Sequence, residues 1–359
     1  MDGRSRGQRG EGRVTLTEVA ERAGVSRSAV SFVLNGRTDL RLSADTSARV
    51  RRAAEELGYS PNATAKTLRT GKSGTVALVS DFIGTTSVAN SMVRGVLESL
   101  HDADTLLYMV DSQGEPSLEE RLLRSLIDRD VDGIIYGSMF TRTIAVPTLL
   151  RNAPFVLLNC VSEDSDTTAV IPDEVGAGTT AATALLSAGH RDRIWFVGVF
   201  PPGITGGGSW HGWSPLALTE RLRGIDAALA AAGTALAGRA SVDGDWDVAG
   251  GRSSVAKLLA SGAAPSALIC VNDAVGLGAY QALQDAGLRV PDDVSVIAFD
   301  GSPLATAVRP ALTSVALPHE ALGRLAAQLL LDREAAPRIH RVPMPLAPGG
   351  SVSAPRSVR

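Results

Sequence analysis

Six strand-like runs in this 359-residue chain stop on carboxylates or amides: Asp81, Asp111, Asn159, Asp173, the pair Asn272 and Asp273, and Asp300. Carboxylates accept hydrogen bonds, and amides both donate and accept, so such groups suit a ligand rich in hydroxyls. A single polar strand end is usually a helix cap or a turn. A series along one sheet edge reads as a polar binding cleft, because open α/β sheets hold ligands at the carboxyl ends of their strands. A second chemistry sits near the N-terminus. There Arg27, Ser28 and Phe32 project from one face of a short helical run, where they suit a DNA major groove. Other chemistries are weakly represented. Gly176-Ala177-Gly178-Thr179-Thr180-Ala181 follows a strand and opens a helix, as a dinucleotide site would, but the next strand, RIWFVGVF, ends without the acidic residue that would hold a ribose. The two glycines read instead as loosening a helix start beside the cleft. Gly71-Lys72-Ser73 lacks the upstream glycine of a phosphate-binding loop. Cys160 and Cys270 match no metal spacing and read as buried thiols, so neither a metal nor a cofactor is expected.

The helical face with Arg27 needs a rigid support, and residues 14–35, VTLTEVAERAGVSRSAVSFVLN, supply it. Thr15 and Glu18 form a capping box. Val19, Ala20 and Ala23 recur at helical spacing. Gly24 suits a left-handed terminus. Ser26 caps a second helix whose Ala29, Val30, Val33 and Leu34 face inward. Small contact residues allow a steep crossing, as in a helix-turn-helix, although a plain helical hairpin would share these features. Ser43 opens a third helix ending near Leu57.

Charge supports the DNA reading. Residues 1–72 hold 14 Lys/Arg against 8 Asp/Glu, whereas the remainder holds 21 against 30. A basic head on an acidic body suits phosphate contact by the head alone. Residues 1–12 are basic and Gly-rich with no apolar segment behind them, which fits a disordered arm rather than a signal peptide. No run is apolar for the ~18–20 residues of a membrane span, so a cytoplasmic protein is expected.

After Gly74, strand-like runs at 75–80, 105–111, 132–137, 154–160, 168–173, 193–200, 266–273, 293–300 and 312–318 alternate with helical stretches. The helices are expected over 86–100, 117–129, 176–188, 216–232, 248–261, 275–286 and 319–332. Apolar strands between amphipathic helices imply doubly wound parallel sheets covered on both faces.

The ordered motifs V-T-L-x-x-V-A-x-x-A-G-V-S, V-L-N-G, A-A-E-E-L-G-Y-x-P-N and A-x-x-L-R-T-G resemble the N-terminus of the LacI/GalR family of bacterial transcriptional regulators. V-D-G-I-I, L-L-x-A-G-H-R-x-R-I, I-C-V-N-D-A-V-G-L-G-A, G-L-R-V-P-D-D-V-S-V-I-A-F-D and P-A-L-T-S-V extend the resemblance over almost the whole chain. It implies an all-α helix-turn-helix domain at 13–60, a hinge helix and linker at 61–72, and an α/β two-lobed, periplasmic-binding-protein-like core at 73–347. One lobe would span about 73–171 and 315–335, the other about 172–314 and 336–347, followed by a disordered tail at 348–359. DNA contact is implied for Thr15, Ser26, Arg27, Ser28, Ser31, Phe32 and Asn35, and in the hinge for Asn62, Ala65, Lys66 and Leu68. Leu68 matches the family's minor-groove wedge. Phe32 stands where several relatives carry Arg, which implies a different half-site preference. Ligand contact is implied for Arg221, Trp246, Asn272, Asp300 and His319, with Asn159 at a polar family position and Asp81 at the first strand end. Loop 201–215 is longer and richer in glycine than the family pattern, and its Trp210, His211 and Trp213 suit either a lid or a plain surface loop. The expectation is a homodimeric repressor that binds a pseudo-palindromic operator in double-stranded DNA, controlled by a small carbohydrate. A sugar-binding protein with no transcriptional role is the rival.

Overall fold

The computed structural model describes residues 14–34, 42–59, 67, 71–86, 90–164, 166–200, 215–332 and 336–356. The expected sites at Asn35, Asn62, Ala65, Lys66 and Leu68 lie outside them, as do residues 1–12 and the loop bearing Trp210, His211 and Trp213. The chain divides into two compact units, Met1–Ser73 and Gly74–Arg359.

The first unit contains α1 (Leu16–Ala23), α2 (Arg27–Leu34) and α3 (Ala44–Leu57). Thr15 caps α1: its hydroxyl accepts from the Glu18 amide, and the Glu18 carboxylate accepts from the Thr15 amide at 2.7 Å. These bonds, the backbone one first, hold the Glu18 carboxyl below its ordinary range. Gly24 ends the helix at φ 67°, a left-handed conformation that a Cβ disfavours. The Ser26 hydroxyl accepts from the Ala29 amide at 3.2 Å at the start of α2. Val19, Ala20, Ala23, Val30, Val50, Ala53 and Ala54 form the core of this unit, with Val33 and Leu34 packed at its margin.

The second unit carries two sheets. The first holds β1 (Thr75–Ser80), β2 (Leu106–Asp111), β3 (Gly133–Thr143), β4 (Phe155–Val161) and β5 (Ala169–Pro172), with α4 (Asn90–Asp102) and α5 (Pro116–Ile127) between them. The chain then passes to the second sheet through α6 (Glu174–Ser187), β6 (Ile194–Val199), α7 (Leu216–Ala231), β7 (Gly238–Ser241), α8 (Val248–Ala260), β8 (Ala267–Cys270), α9 (Asp273–Asp285), β9 (Ser295–Asp300), α10 (Pro303–Ala307) and β10 (Thr313–Ala316). It returns through α11 (His319–Leu331) to β11 (Ile339–Val342) in the first sheet, and ends in β12 (Leu346–Ala347) in the second. The orders are β11-β5-β4-β3-β1-β2 and β12-β10-β9-β8-β6-β7, all parallel except the β10–β12 pair.

Strand alternation divides the residues of the first sheet between its two faces. Val76 and Leu78 pack with Met92, Val96 and Leu322, whereas Ala77 and Val79 pack with Leu123 and Leu126. Edge strand β2 departs from the expectation of full cover, because Leu106, Tyr108 and Met109 are exposed.

Two expected boundaries move. Residues 336–342 belong with the first lobe, since β11 pairs with β5, so the third crossing falls after Val342. Short β11 was missed because its exposed edge position gives no apolar run. Residues 348–356 are also built into the structure. The buried Ser351 hydroxyl accepts from the Thr313 amide at 2.7 Å, and the Val296 amide donates to the Ser351 carbonyl at 2.9 Å. Buried His190 bonds Ser266, Ser295 and the Ser353 carbonyl. Backbone groups of this polar tail complete a ladder, which composition does not reveal.

The glycine reading also changes. A Cβ on Gly178 would lie 2.1 Å from the Arg221 carbonyl oxygen, and one on Gly224 would lie 2.0 Å from that of Val175. These glycines let α6 and α7 touch backbone to backbone, and that contact brings Glu174 and Arg221 together.

Candidate functional site

A cavity of about 90 Å³ lies between the sheet ends of the second unit. Met139, Phe140, Thr141 and Asn159 line it from the first lobe. Glu174, Arg221, Trp246, Asn272 and Asp300 line it from the second, and Leu317 and His319 from the crossover. Six of the seven expected ligand residues therefore meet at one place. Asp81 does not. Its buried carboxylate accepts from the Ser138 hydroxyl and the Met139 amide, both at 2.8 Å, and pairs with Arg142 at 3.1 Å. It braces the irregular end of β3, which carries Met139 and Phe140.

The six differ in what they have left to offer. Asn159 sits at φ 58° and is largely committed: both Nδ2 hydrogens are used, on the Ser138 and Met139 carbonyls, and Oδ1 accepts from Thr141 at 2.7 Å, which leaves one acceptor lone pair. The Asn272 Oδ1 caps α9 by accepting from the Val275 amide at 2.8 Å, and Nδ2 donates to the Trp246 carbonyl at 2.9 Å. One Asn272 N–H remains. The Trp246 Nε1 donates to the Gly198 carbonyl, and its ring stacks on Phe200 with centroids 5.0 Å apart. This is an aromatic platform of the kind a sugar ring packs on.

Arg221 is buried. Its Nε and Nη2 donate to the two carboxylate oxygens of Glu174 at 2.5 and 3.0 Å, its Nη1 donates to the Val271 carbonyl at 2.7 Å, and its guanidinium carbon lies 4.6 Å from the Phe299 ring centroid. Burial opposes the charge, but the Glu174 carboxylate more than offsets it, and the pKa stands above its ordinary value. Two guanidinium N–H groups remain of five. Glu174 is fully buried and was not anticipated from the sequence. Its one sequence signal is its place beside Asp173, which caps α6.

Asp300 and His319 are uncommitted. Neither side chain has a hydrogen-bond partner among the described residues. Burial pushes the Asp300 carboxyl up to about 8 against the pull of Arg221, with Asp273 and Glu174 adding to the rise. Its φ of 106° lies outside the usual regions for an L-residue, and such backbone outliers concentrate at ligand sites. His319 is 8% exposed, and burial lowers its pKa to about 4, so the ring is neutral near pH 7. Asp300 is half-buried and His319 buried, so both keep hydrogen-bonding capacity that a ligand or water in the cavity can use.

In the first unit, Arg27 and Ser28 are exposed at the start of α2, while Ser31 and Phe32 are half-buried further along it. Thr15 and Ser26 are occupied as caps. Among the described residues no helix is long and apolar enough to cross a membrane, and no His/Cys/Asp/Glu cluster could hold a metal.

A capped helix-turn-helix followed by a two-lobed α/β core with a polar cleft defines a ligand-responsive DNA-binding protein. Comparison with known proteins gives the family. Residues 15–62 match bacterial regulatory proteins of the lacI family, and residues 182–352 match a periplasmic binding protein-like domain. The ribose operon repressor of Escherichia coli (strain K12) is 30% identical over 336 residues, covering 93% of this chain and 97% of its own. The fold matches a lac repressor dimer bound to operator and an anti-inducer with a TM-score of 0.77 at 23% identity, covering 96% of this chain and 100% of that one. It also matches a CelR–cellobiose complex at 0.64 and 29% identity, covering 94% and 100%. The chain belongs to the lacI family, and it is a transcriptional regulator rather than an enzyme.

Proposed function

We propose that this regulator is a cytoplasmic, homodimeric repressor whose operator affinity is set by a small carbohydrate in the cleft. The observation that carries the ligand reading is the pair of uncommitted groups, Asp300 and His319, facing one cavity beside the Trp246 platform. The spare N–H groups of Arg221 and Asn272 complete a set suited to hydroxyl forks. The cellobiose held by the related regulator CelR supports the class. About 90 Å³ is small beside the ~300 Å³ and more of sites for drug-sized ligands. Ligand entry therefore has to change the separation of the lobes. Three chain crossings at the cleft carry that change, and by linkage the ligand and the operator affect each other's affinity equally. Arg27, Ser28 and Phe32 would read bases, and Leu68 would wedge the minor groove.

Fluorescence anisotropy with DNA flanking the gene, against random DNA of equal length at fixed salt, tests the reading. The expected preference is roughly 10³-fold or more, and it should shift when a binding sugar is added. A chain that binds sugars but shows no preference for any flanking segment would instead be the sugar-binding protein without transcriptional role.

A further inference from the structure

We propose that Glu174 is a specificity-determining residue: by occupying the forked edge of Arg221 it excludes anionic ligands and restricts the cleft to neutral ones. The inference rests on the cleft being the effector site. A lone buried arginine facing a cavity would favour carboxylates and phosphates, because its Nε and Nη2 hydrogens match two anionic oxygens at once. Here that edge is taken. Both Glu174 oxygens lie on it, at 2.5 and 3.0 Å, and Glu174 is itself 1% exposed. An incoming anion would have to displace a buried carboxylate or share the guanidinium with it.

The remaining charges point the same way. Among the described residues Arg221 is the one cationic group lining the cavity, since His319 is neutral, and Glu174 already balances it. Asp300 faces the cavity as well; with its carboxyl raised to about 8 it is largely protonated near pH 7, so it supplies no cation for an anion to pair with. A neutral polyol meets none of these penalties. It can accept from the two spare Arg221 hydrogens and bond Asp300 and His319.

The pairing is built in rather than incidental. Asp173 caps α6 and fixes the residue after it, and the Gly178–Gly224 contact sets the helix spacing that lets the two side chains meet. Val271 holds the third donor of Arg221 at 2.7 Å, so the guanidinium cannot swing to another anion.

The test uses the full chain, with circular dichroism to confirm folding. Thermal shift and calorimetry would be run with neutral pentoses and hexoses, their aldonates, their phosphates, and inorganic phosphate. Wild type should bind neutral members only, disfavouring the matched anions by roughly 100-fold or more. Glu174→Gln frees the fork. Inorganic phosphate should then stabilise this variant but not wild type, and the gain should vanish when Arg221→Gln is added. Glu174→Asp, which keeps the charge, should still exclude anions. The proposal is overturned if wild type binds an anionic member as tightly as its neutral partner, a result that does not require any variant to fold. It is also overturned if phosphate affects wild type and folded Glu174→Gln alike. If no neutral sugar binds but the phosphate response appears only in Glu174→Gln, charge exclusion stands and the carbohydrate reading falls.

Discussion

Asp300 is a cleft residue held far from its ordinary protonation behaviour. Its carboxyl is raised to about 8 by burial, so between the unfolded value near 4 and the folded value near 8 the folded chain holds a proton that the unfolded chain has lost. Stability from this group is thus fully present below about pH 4 and declines as pH rises toward 8. His319 acts in the opposite sense. Its lowered pKa gives stability that is present above about 6.5 and lost as pH falls toward 4. Below pH 6.5 the two slopes oppose each other, and above it only Asp300 remains. The apo protein should therefore lose stability between pH 6.5 and 8, on the order of 1 kcal/mol. Asp300→Asn should flatten that limb in thermal melts while weakening sugar binding. An unchanged slope would show that the carboxyl titrates normally. The sequence pointed to Asp300 because a strand ending in Asp at a sheet edge is a pattern. It did not separate Asp300 from Asp81, which looks the same in sequence but is consumed by Ser138, Met139 and Arg142. Hydrogen-bond satisfaction depends on neighbours 57 to 61 residues away, and no local signal carries that.

Among the elements, the α6–α7 pair does the most to shape the cleft. Gly178 and Gly224 bring the two backbones into contact, and a Cβ at either would stand about 2 Å from a carbonyl oxygen of the partner helix. Gly178→Ala must therefore push the helices apart. Overpacking of this kind typically costs about 1–3 kcal/mol, and the displacement should also separate Arg221 from Glu174. The expected outcome is a lower melting temperature together with a sugar affinity reduced more than the stability loss alone explains. Wild-type affinity in a folded Gly178→Ala protein would show that the helix spacing does not set the site. Helix and strand periods made most elements legible from sequence, including the helix-turn-helix with its cap at Thr15. Among the strands, the exceptions are short β7, β11 and β12. Each has four residues or fewer, and most of those residues are exposed or half-buried. Such strands are placed by backbone pairing, not by their side chains.

At the scale of the whole molecule, a repressor on a pseudo-palindromic operator has to present two heads, so one surface of the core must hold a second copy. The edge of the first sheet is the place that physical chemistry singles out. Natural edge strands are usually blunted by lysine, proline or a bulge, because their open backbone groups and side chains invite pairing. Strand β2, LLYMVD, has none of these. Its one charge, Asp111, turns inward to accept from the Gly84 amide at 3.0 Å. Leu106, Tyr108 and Met109 are left 68%, 44% and 45% exposed, and Leu97 on neighbouring α4 is 49% exposed. Exposed apolar groups concentrated on one edge mark an interface rather than a solvent face. A second copy of this chain, related by a two-fold axis, is the occupant that the DNA-binding role requires. Leu106→Glu places a charge in that contact without touching the cleft. The variant should sediment as a monomer where wild type sediments as a dimer. It should lose most of its preference for a full operator over a half-site, and keep its sugar affinity. A dimer that survives Leu106→Glu, with operator preference intact, would move the interface to another face of the core.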